Sequence, residues 1–258
     1  MKLALVTGAS SGVGEATARL LAADGLKVIL VARRRSKLEG IAKEIGDAAV
    51  VEACDAGDGE AVLEMAERVR QDHGVPDLIV NSAGAGRWDW IENTSPAEAV
   101  AMMQAPYFAA FNVTHAFMGD LLARDSGVII HVNSPVSFVT WPAATGYAAV
   151  RWALRGLHEA LCDDLWETNV HSCQAVFGRI SSAYFDTNPG TLEKMPGIEG
   201  TIRTVSPEEC ARVIARLAKR PRRQVVYPFM LRFYYGNHAL LPWPTRWLMR
   251  RTGARRPA

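Results

Sequence analysis

Three side chains that could together support proton transfer lie close together in the second half of the sequence. Ser134 follows an apolar run, Tyr147 comes thirteen residues later, and Arg151 is one helical turn further on. A tyrosine hydroxyl is a poor acid or base at neutral pH unless a nearby cation stabilises its phenolate. Residues four apart share a helix face, so Arg151 can supply that cation. Because a serine hydroxyl can hold a substrate oxygen, the set predicts proton transfer to or from a carbonyl oxygen.

A glycine-rich turn lies at the start of the chain. Residues 3–7 are typical of a buried strand, and residues 15–23 have a helical pattern. Backbone N–H groups and a helix dipole at such a junction attract an anion, and glycines let a pyrophosphate come close. We therefore predict a dinucleotide site, with an ordinary strand-to-helix turn as the alternative. The predicted contacts are Gly8, Ser10, Ser11, Gly12, Val13 and Gly14.

The residues after the second apolar run indicate which dinucleotide binds. An NAD site usually presents Asp or Glu there for the ribose 2′-hydroxyl, whereas this chain has Ala32-Arg33-Arg34-Arg35. Guanidinium groups bind a 2′-phosphate, which a carboxylate would repel. We therefore predict NADPH/NADP+, with Arg33 as the main contact and NADH less favoured; a solvated arginine turn is the alternative. Asp55, after the third run, could contact the adenine amino group or cap a helix.

Apolar runs alternate with helical patterns along the chain. This alternation predicts an α/β fold with a doubly wound parallel sheet, Rossmann-like, with about seven strands and helices on both faces. The predicted strands are 3–7, 27–32, 48–53, 77–81, 128–132, 171–176 and 224–227. The predicted helices are 15–23, 36–45, 59–71, a long segment after Ser95-Pro96, 147–168 and 207–219. Ligands of such folds bind beyond the carboxyl ends of the strands.

Several motifs together resemble the short-chain dehydrogenase/reductase (SDR) family. Residues 7–14, TGASSGVG, match its TGxxxGxG loop, and residues 81–84, NSAG, match its NNAG motif with one change. Ser134 and Tyr147 stand at the positions of the family's catalytic serine and tyrosine. The resemblance covers Lys2 to Tyr227 and implies a homodimer or homotetramer formed through two long helices. It also implies cofactor contacts at Asn81, Ala83, Gly84, Tyr147, Arg151, Gly178 and Ile180.

The chain departs from the family's pattern around the proton path. The lysine of YxxxK is Arg151 here, and arginine supplies charge and hydrogen bonds but releases no proton in a useful range. Pro106 aligns with an asparagine that holds a water in the family's relay; Gln104 is a candidate substitute, and Asn112 lies too far along. Proline would also kink the helix. Two interpretations follow: an oxidoreductase with a rewired relay, or an SDR-fold protein that uses Tyr147 for non-redox chemistry or for none.

Aromatic residues are frequent in the loops expected around the site, and they favour a bulky, lipophilic substrate. Each of them could instead pack beneath a long loop. The predicted pocket residues are Pro135, Val136, Trp141, Phe177, Tyr184 and Phe185. Residues 182–204 resemble the family's substrate lid, which would exclude water. We therefore predict a carbonyl reductase or alcohol dehydrogenase acting on a lipophilic ketone, aldehyde or secondary alcohol, with Tyr147 as the general acid/base, Ser134 orienting the oxygen and Arg151 supporting both.

Charge is distributed unevenly along the chain. All 27 acidic residues lie before Ala211, whereas twelve of the 29 basic residues lie after Cys210. Residues 228–258 mix aromatic and aliphatic residues with arginines, as in segments that lie on anionic lipid. A dimer contact and a cap over the pocket are the alternatives, and Pro242 and Pro244 exclude one long helix. Nucleic acid is not expected as a partner, because residues 1–210 are net acidic and no recognition motif is apparent.

Composition indicates the number of domains and the class of protein. The chain has 258 residues, 49% of them hydrophobic and 22% charged, which suits one SDR domain over residues 1–227 and an extension over residues 228–258. The first strand follows Met-Lys directly, and no apolar run reaches membrane-spanning length. The four cysteines lack metal-ligand spacing. We therefore expect a cytoplasmic protein without a metal site, with peripheral membrane contact through the extension as an option.

Overall fold

The computed structural model describes residues 1–182, 184, 188 and 190–256. Its seven-stranded parallel sheet has the order β3-β2-β1-β4-β5-β6-β7, and this confirms the predicted doubly wound fold. The strands are β1 (Leu3–Thr7), β2 (Lys27–Ala32), β3 (Ala49–Ala53), β4 (Leu78–Asn81), β5 (Gly127–Asn133), β6 (Val170–Phe177) and β7 (Gln224–Tyr227). The strand order reverses between β1 and β4, which is where such sheets open a crevice for ligands.

Helices cover both faces of the sheet. They are α1 (Gly12–Ala23), α2 (Arg35–Ile45), α3 (Gly59–His73), α4 (Pro96–Met103), α5 (Ala109–Arg124), α6 (Thr145–Asp164), α7 (Pro207–Lys219), α8 (Phe229–Leu240) and α9 (Pro242–Thr252). Capping boxes begin two of them, because Ser95 bonds the backbone N–H of Glu98 at the start of α4 and Ser206 does the same with Glu209 at α7. The predicted helix 147–168 begins two residues earlier and ends four residues earlier than expected.

Each face of the sheet has its own apolar core. On one face, Leu21 of α1, Leu38 of α2 and Leu217 of α7 pack against the strands. On the other face, Met65 of α3 and Phe117 of α5 are fully buried. Strands buried on both sides need nearly continuous apolar sequence, and for this reason β1 and β2 have the bounds that the sequence predicts. The edge strand β7, which is only partly buried, also has its predicted bounds.

The long helical segment after Ser95 is interrupted at Pro106, as the sequence predicts. Residues Gln104–Phe108 form a π-helical turn between α4 and α5, and Pro106 is buried within it. A proline lacks the N–H that an α-helix needs and clashes with the preceding turn, so the chain takes a wider turn at this point. Pro106, which aligns with the relay asparagine of the family, therefore lies in a π-helical turn and not in a regular α-helix.

The last part of the described chain, residues 228–256, is called the tail below. Helices α8 and α9 meet at Leu241, because Pro242 and Pro244 occupy the first turn of α9. The end of α9 packs on the loop before α6, where a Cβ at Gly253 would lie 2.8 Å from Pro142 Cδ. Among the residues that the structure describes, no helix is both long enough and apolar enough to cross a membrane.

Candidate active site

A cavity of about 760 Å³ runs along the carboxyl ends of the strands. Its lining contains most of the predicted site residues: Gly8, Ser10, Ser11, Gly12, Val13, Gly14, Arg33, Asp55, Ala83, Gly84, Ser134, Pro135, Trp141, Tyr147, Arg151, Phe177, Gly178, Ile180 and Tyr184. Asn81 and Val136 lie behind the wall, and Phe185 falls outside the described residues. The fold therefore brings the predicted cofactor and catalytic residues to one continuous space.

The glycine-rich turn is built by close backbone approach. A Cβ at Gly14 would lie 2.3 Å from the Gly8 carbonyl oxygen, so any larger residue there would push the start of α1 away from β1. Gly8 has a φ of +66° and would meet Ala83 Cα at 2.9 Å. Among the described residues, no side chain caps the first turn of α1, so its backbone N–H groups remain available to an anion at the cavity.

Thr7 joins this turn to the loop after β4. Its Oγ1 accepts hydrogen bonds of 3.1 Å from the backbone N–H groups of both Ser82 and Ala83. The bonds bring the NSAG segment against the glycine-rich turn at the point where the strand order reverses. The threonine of the TGxxxGxG pattern therefore has a structural part in positioning the second loop.

Two of the three arginines after β2 border the cavity, and their contacts with the protein differ. Arg34 Nη2 donates to Ser10 Oγ of the glycine-rich turn at 3.0 Å, whereas Arg33 is largely exposed, with its Nη1 4.0 Å from Asp55 Oδ2. Both line the cavity and Arg35 does not. Sequence reasoning missed Arg34, although it belongs to the triplet that the reasoning singled out.

Asp55 does not cap α3. The helix begins after Asp58, whose side chain accepts hydrogen bonds from the N–H groups of Glu60 and Ala61. Asp55 Oδ1 instead accepts a 3.0 Å bond from Gly57 N within the loop, and its residue lines the cavity. The helix-cap alternative is therefore wrong, because Asp55 lies three positions before the N-cap residue, Asp58.

Asn81 belongs to a buried polar row behind the site. It stands opposite His131 of β5, which in turn stands opposite Gln174 of β6. Asn81 Nδ2 donates to Thr114 Oγ1 at 3.2 Å and lies 3.4 Å from His131 Nδ1. Asn81 therefore holds the end of β4 from inside and does not face the cavity.

Two histidines of this region are held neutral by burial. Burial lowers the pKa of His131 to about 3, with nearby His158 adding to the effect, and burial also lowers the pKa of His158 to about 4. His158 Nδ1 lies 2.9 Å from Ser172 Oγ, and the two imidazole rings are 6.0 Å apart. Both rings must stay uncharged in the folded protein, so they form a polar but neutral layer under the site.

Ser134 and Tyr147 both line the cavity. Ser134 is fixed through its backbone, because its N–H donates to Asn133 Oδ1 at 2.8 Å and its carbonyl accepts from Ser137 Oγ at 2.7 Å. Among the residues that the structure describes, none is hydrogen-bonded to Ser134 Oγ or to the Tyr147 hydroxyl. Both hydroxyls are therefore available to a ligand oxygen.

Arg151 lies against the face of the Tyr147 ring, with its Cζ 5.1 Å from the ring centre. The guanidinium is buried, Nη1 donates to the Val132 carbonyl at 3.1 Å, and Nη2 lies 2.9 Å from where a Cβ at Gly84 would be. Nε has no hydrogen-bond partner within the described chain. The cation therefore interacts with the π-face of the tyrosine, as the shared helix face predicts, and it also packs against the NSAG loop.

Gln104, the candidate substitute for the relay asparagine, and Asn112, which the sequence places too far along, both lie near the loop after β3. Asn112 Nδ2 donates to the carbonyls of Ala56 and Gly57 at 3.1 Å each, so it anchors that loop and takes no part at Tyr147. Gln104 lines the cavity, with Oε1 3.0 Å from where a Cβ at Gly57 would be. Within the described residues, no hydrogen bond joins Gln104 to Tyr147 or Arg151.

Aromatic rings surround Tyr147. Trp88 lies 5.4 Å from the Tyr147 ring and 5.2 Å from Trp141, and Tyr184 lies 6.4 Å from Tyr147. Val136 is fully buried beneath these rings, so it supports the pocket wall from behind. Tyr147 itself is only 7% exposed. An apolar, weakly hydrated surface thus borders the reactive hydroxyl, which is what the aromatic loops predict.

Gly86 is a residue that the sequence reasoning missed. A Cβ at this position would lie 2.5 Å from Tyr147 Cδ2, and the Gly86 carbonyl accepts a 2.7 Å bond from the Tyr184 hydroxyl. Burial raises the pKa of Tyr184, with the nearby Tyr147 adding to the rise. Tyr184 therefore stays protonated and serves as a donor to Gly86. The sequence signal was a glycine two residues after the NSAG segment.

The segment expected to form a lid lies across the cavity where it is described. Lys194 Nζ donates to the Trp88 carbonyl at 2.7 Å and lies 3.2 Å from Asp89 Oδ2. Bonds from Trp90 N–H, Asn93 and Lys194 hold the pKa of Asp89 at about 2, despite the opposing effect of burial. The segment returns to the domain at Val205, which pairs with Ile180. The ion pair between Lys194 and Asp89 and the bridge between Ile180 and Val205 thus attach this segment to the domain.

Burial keeps the thiols of three cysteines protonated, including Cys54, which lines the cavity. Burial raises the pKa of Cys54 to about 11, and burial raises the pKa of Cys173 and of Cys210 to about 12, so these thiols stay protonated. Within the described part of the chain, no group of His, Cys, Asp and Glu side chains has the arrangement of a metal site.

Comparison with known proteins agrees with this geometry. The family model for short chain dehydrogenases matches residues 2–188. Nodulation protein G of Rhizobium sp. is 30% identical over 216 residues, covering 83% of this chain and 88% of that protein. A short chain dehydrogenase of Pseudocercospora fijiensis is 29% identical over 231 residues, covering 86% of this chain and 70% of the relative.

Two solved structures are similar over nearly the whole domain. An alcohol dehydrogenase from the archaeon Thermococcus sibiricus, complexed with 5-hydroxy-NADP, is 28% identical with a TM-score of 0.77, covering 88% of this chain and 96% of that one. A metagenomic short-chain oxidoreductase in complex with NADP is 29% identical with a TM-score of 0.74 and has the same coverage. The chain belongs to the short-chain dehydrogenase/reductase family of oxidoreductases.

Proposed function

We propose that the protein is an NADPH-dependent carbonyl reductase or alcohol dehydrogenase for a lipophilic ketone, aldehyde or secondary alcohol. One observation carries the proposal: a single cavity holds the glycine-rich turn, two arginines after β2, and the Ser134, Tyr147 and Arg151 set. The first two features suit a phosphorylated dinucleotide, and the third suits a reacting carbonyl oxygen. Two similar solved structures contain NADP or a derivative of it.

The residues at the first end of the cavity fit an NADP-type cofactor. Gly14 leaves no room for a Cβ beside Gly8, so the backbone of the turn can approach a pyrophosphate at the start of α1. Arg33 and Arg34 would hold the 2′-phosphate, and no carboxylate stands at the end of β2 to repel it. When bound there, the cofactor would supply or accept the hydride.

Tyr147 would give a proton to the carbonyl oxygen during reduction and take it back during oxidation. Ser134 would hold the same oxygen through its Oγ, since both residues line the cavity. Arg151 would stabilise the phenolate by its charge and offer its remaining N–H groups to the ribose hydroxyls of the cofactor. Because arginine does not release a proton, the proton that restores Tyr147 would come from solvent by a route that bypasses Arg151.

The substrate end supports a lipophilic substrate. Trp88, Trp141 and Tyr184 border Tyr147, and Leu231 and Met249 of the tail line the far side. These side chains offer apolar surface and few donors, so affinity there would come mainly from burial of hydrocarbon. Keeping water away from Tyr147 would also strengthen its electrostatic interaction with Arg151.

The test is a titration with NADPH and NADH followed by tryptophan fluorescence, then turnover on apolar ketones and aldehydes of graded size. Trp88 and Trp141 line the cavity and would report occupancy. We expect tight NADPH binding, weak NADH binding, and NADPH oxidation that rises with substrate hydrophobicity. The proposal would be overturned if the protein bound neither NADPH nor NADH.

The altered proton path favours a second candidate, a non-redox enzyme or a cofactor-binding protein on the same fold. Arg151 replaces the lysine, and Pro106 interrupts the helix at the relay position. Such a protein would bind NADPH without oxidising it across the whole panel. Loss of a non-redox activity in Tyr147→Phe would then identify the tyrosine as its acid/base.

A further inference from the structure

The two helices of the tail have contrasting faces. On α8, the inner face carries Leu231, Tyr234, Tyr235 and His238, all of which line the cavity. These residues recur at helical spacing, and Tyr235 packs edge-on against Phe138 with ring centres 4.5 Å apart. The inner face of the tail is therefore a wall of the candidate substrate pocket.

The outer face of the tail is apolar and exposed. Phe229 is 76% exposed, Leu240 is 82% exposed and Trp243 is 80% exposed, and Phe233 and Trp247 are each more than half exposed. Phe229, Phe233 and Leu240 lie on one stripe of α8, and Trp243 and Trp247 continue the surface one turn apart on α9. A cluster of exposed aromatic and aliphatic side chains such as this one marks a place where another apolar phase makes contact.

Positive charge surrounds this apolar surface. The exposed arginines of the tail are Arg232, Arg246, Arg250, Arg251, Arg255 and Arg256. The tail contains no Asp or Glu to balance them. Arg256 is paired with Glu92 and stacks on Trp90, whereas Arg246 and Arg250 have no hydrogen bond or ion pair within the described chain. Most of this charge is therefore available to an anionic partner.

We propose that the outer face of α8 and α9 binds the surface of an anionic lipid bilayer. Tryptophans and phenylalanines would enter the headgroup region, where amphipathic aromatic rings are stable, and the arginines would contact lipid phosphates. No spanning helix is needed, because the two helices would lie in the plane of the interface. The face has both an apolar stripe and a one-sided charge, and a bilayer surface satisfies both at once.

A second copy of this chain fits the same face less well. A symmetric dimer places the same patch on both partners, so the arginines of one tail would meet those of the other without an acidic side chain between them. Like charges at an interface core oppose association. A nucleic acid would satisfy the arginines but would leave Phe229, Leu240 and Trp243 in water.

The arrangement also suggests how a lipophilic substrate reaches Tyr147. The same helices meet the bilayer on one face and line the cavity on the other, so a substrate dissolved in the membrane would pass between them without crossing water. This step rests on the proposed function, whereas lipid binding itself does not. The two are separated by measuring lipid binding without cofactor or substrate.

The experiment is sedimentation of the full chain with vesicles of phosphatidylcholine, with and without phosphatidylglycerol. We expect binding to the anionic vesicles that weakens with added salt. The triple variant Arg246→Gln, Arg250→Gln and Arg251→Gln should lower affinity for them about a hundredfold. Trp243→Ala with Trp247→Ala should weaken binding in high salt as well, because the apolar contribution is not screened.

Two matched variants act as controls. Trp166 is 82% exposed at the far end of α6, so Trp166→Ala removes an equally exposed indole outside the tail. Arg212→Gln, Arg216→Gln and Arg220→Gln remove three exposed charges from the α7 region. Both should bind vesicles like the unaltered chain, and circular dichroism should show every variant folded.

Several results would overturn the proposal. Vesicle binding that the tail variants retain in full would move the contact elsewhere. Failure of the unaltered chain to bind anionic vesicles, together with an oligomer that the tail variants dissociate, would assign the face to a second copy. Failure to bind vesicles together with salt-sensitive binding of a random-sequence RNA would assign it to nucleic acid. Binding of vesicles by a protein that never oxidises NADPH would leave the proposal standing and remove only the proposed function.

Discussion

The two ends of the cavity recognise their ligands by different means. At the cofactor end, backbone groups of the glycine-rich turn and exposed arginines form the surface, and the side chain of Arg33 is largely in water. At the substrate end, aromatic rings enclose Tyr147, and the tail forms the outer wall. The first end suits a charged, hydrated ligand, and the second suits one that leaves water. The reacting atoms would meet where the two environments join, beside Ser134 and Tyr147.

The difference implies that substitutions at the two ends should separate binding of cofactor from turnover. Changes at the turn or the arginines should alter cofactor affinity and leave the tyrosine intact. Changes around Tyr147 should alter turnover and leave cofactor affinity nearly unchanged.

Removal of the Tyr147 hydroxyl should have the largest effect. Tyr147→Phe keeps the ring and its contact with Arg151 but removes the acid/base, so turnover should fall by about 10²–10⁴-fold. NADPH affinity by fluorescence titration should change little. Tyr184→Phe is the matched control, because it removes a hydroxyl that is hydrogen-bonded to Gly86 in the same pocket. An active Tyr147→Phe protein would remove this residue from the mechanism.

Closing the glycine-rich turn should weaken cofactor binding. Gly14→Ala would place a Cβ 2.3 Å from the Gly8 carbonyl, so the start of α1 must shift away from the phosphate position. We expect at least about tenfold weaker NADPH binding by calorimetry. Gly40→Ala, where a Cβ meets nothing within 4 Å, is the control. Equal NADPH affinity in both variants would contradict the assigned phosphate site.

Loss of the two arginines should change cofactor preference. Arg33→Ala with Arg34→Ala should weaken NADPH binding about tenfold or more, because charge-assisted bonds to a phosphate are lost, while NADH affinity stays nearly constant. Arg35→Ala removes the adjacent charge, which does not line the cavity, and should leave the ratio unchanged. A parallel fall in affinity for both cofactors would contradict a 2′-phosphate site here.

Restoring lysine at position 151 should have a smaller and opposite effect. Arg151→Lys keeps the positive charge and adds a group that can take part in a proton relay, so steady-state turnover should be retained or increased. It would lose the stacking of a planar guanidinium on Tyr147 and one hydrogen bond to Val132. Complete loss of activity in a folded Arg151→Lys protein would mean that the arginine has a role that lysine cannot fill.

The neutral histidines behind the site should make stability depend on pH. Burial holds the pKa of His131 at about 3 and that of His158 at about 4, against an ordinary value of 6.5. The unfolded chain therefore binds more protons below pH 6.5, so stability should be full above that pH and fall as the pH drops towards 4. Urea unfolding at a series of pH values should show that the free energy of unfolding falls with decreasing pH. This dependence should be weaker in His131→Gln. An equal pH dependence of the free energy of unfolding in both proteins would contradict the assignment of His131 as a buried, neutral histidine.

Local features of the site could be predicted from the sequence, and features made by distant parts of the chain could not. The glycine-rich turn, β1 and the pair Tyr147 and Arg151 are each encoded within a few residues, so their placement followed from spacing. The interruption at Pro106 followed from proline chemistry alone.

The site features that could not be predicted from the sequence depend on contacts between distant parts of the chain. Gly86 is constrained by Tyr147, which lies sixty-one residues later, and Asn81 bonds to side chains of α5 and β5 and so lies behind the wall. Asp55 was a fair candidate for a helix cap until the true helix start at Asp58 was known. A cap over the pocket was one of three roles that the sequence left open for the tail, and spacing alone could not show that α8 and α9 line the cavity.

The most direct test of the account is the stoichiometry of NADPH consumption against product during incubation with an apolar ketone. Both the NADPH absorbance and the alcohol formed would be quantified for the unaltered protein and for Tyr147→Phe. The account predicts one alcohol per NADPH consumed, with both quantities lost together in the variant. NADPH that binds but stays unoxidised across ketones and aldehydes of all sizes would contradict it.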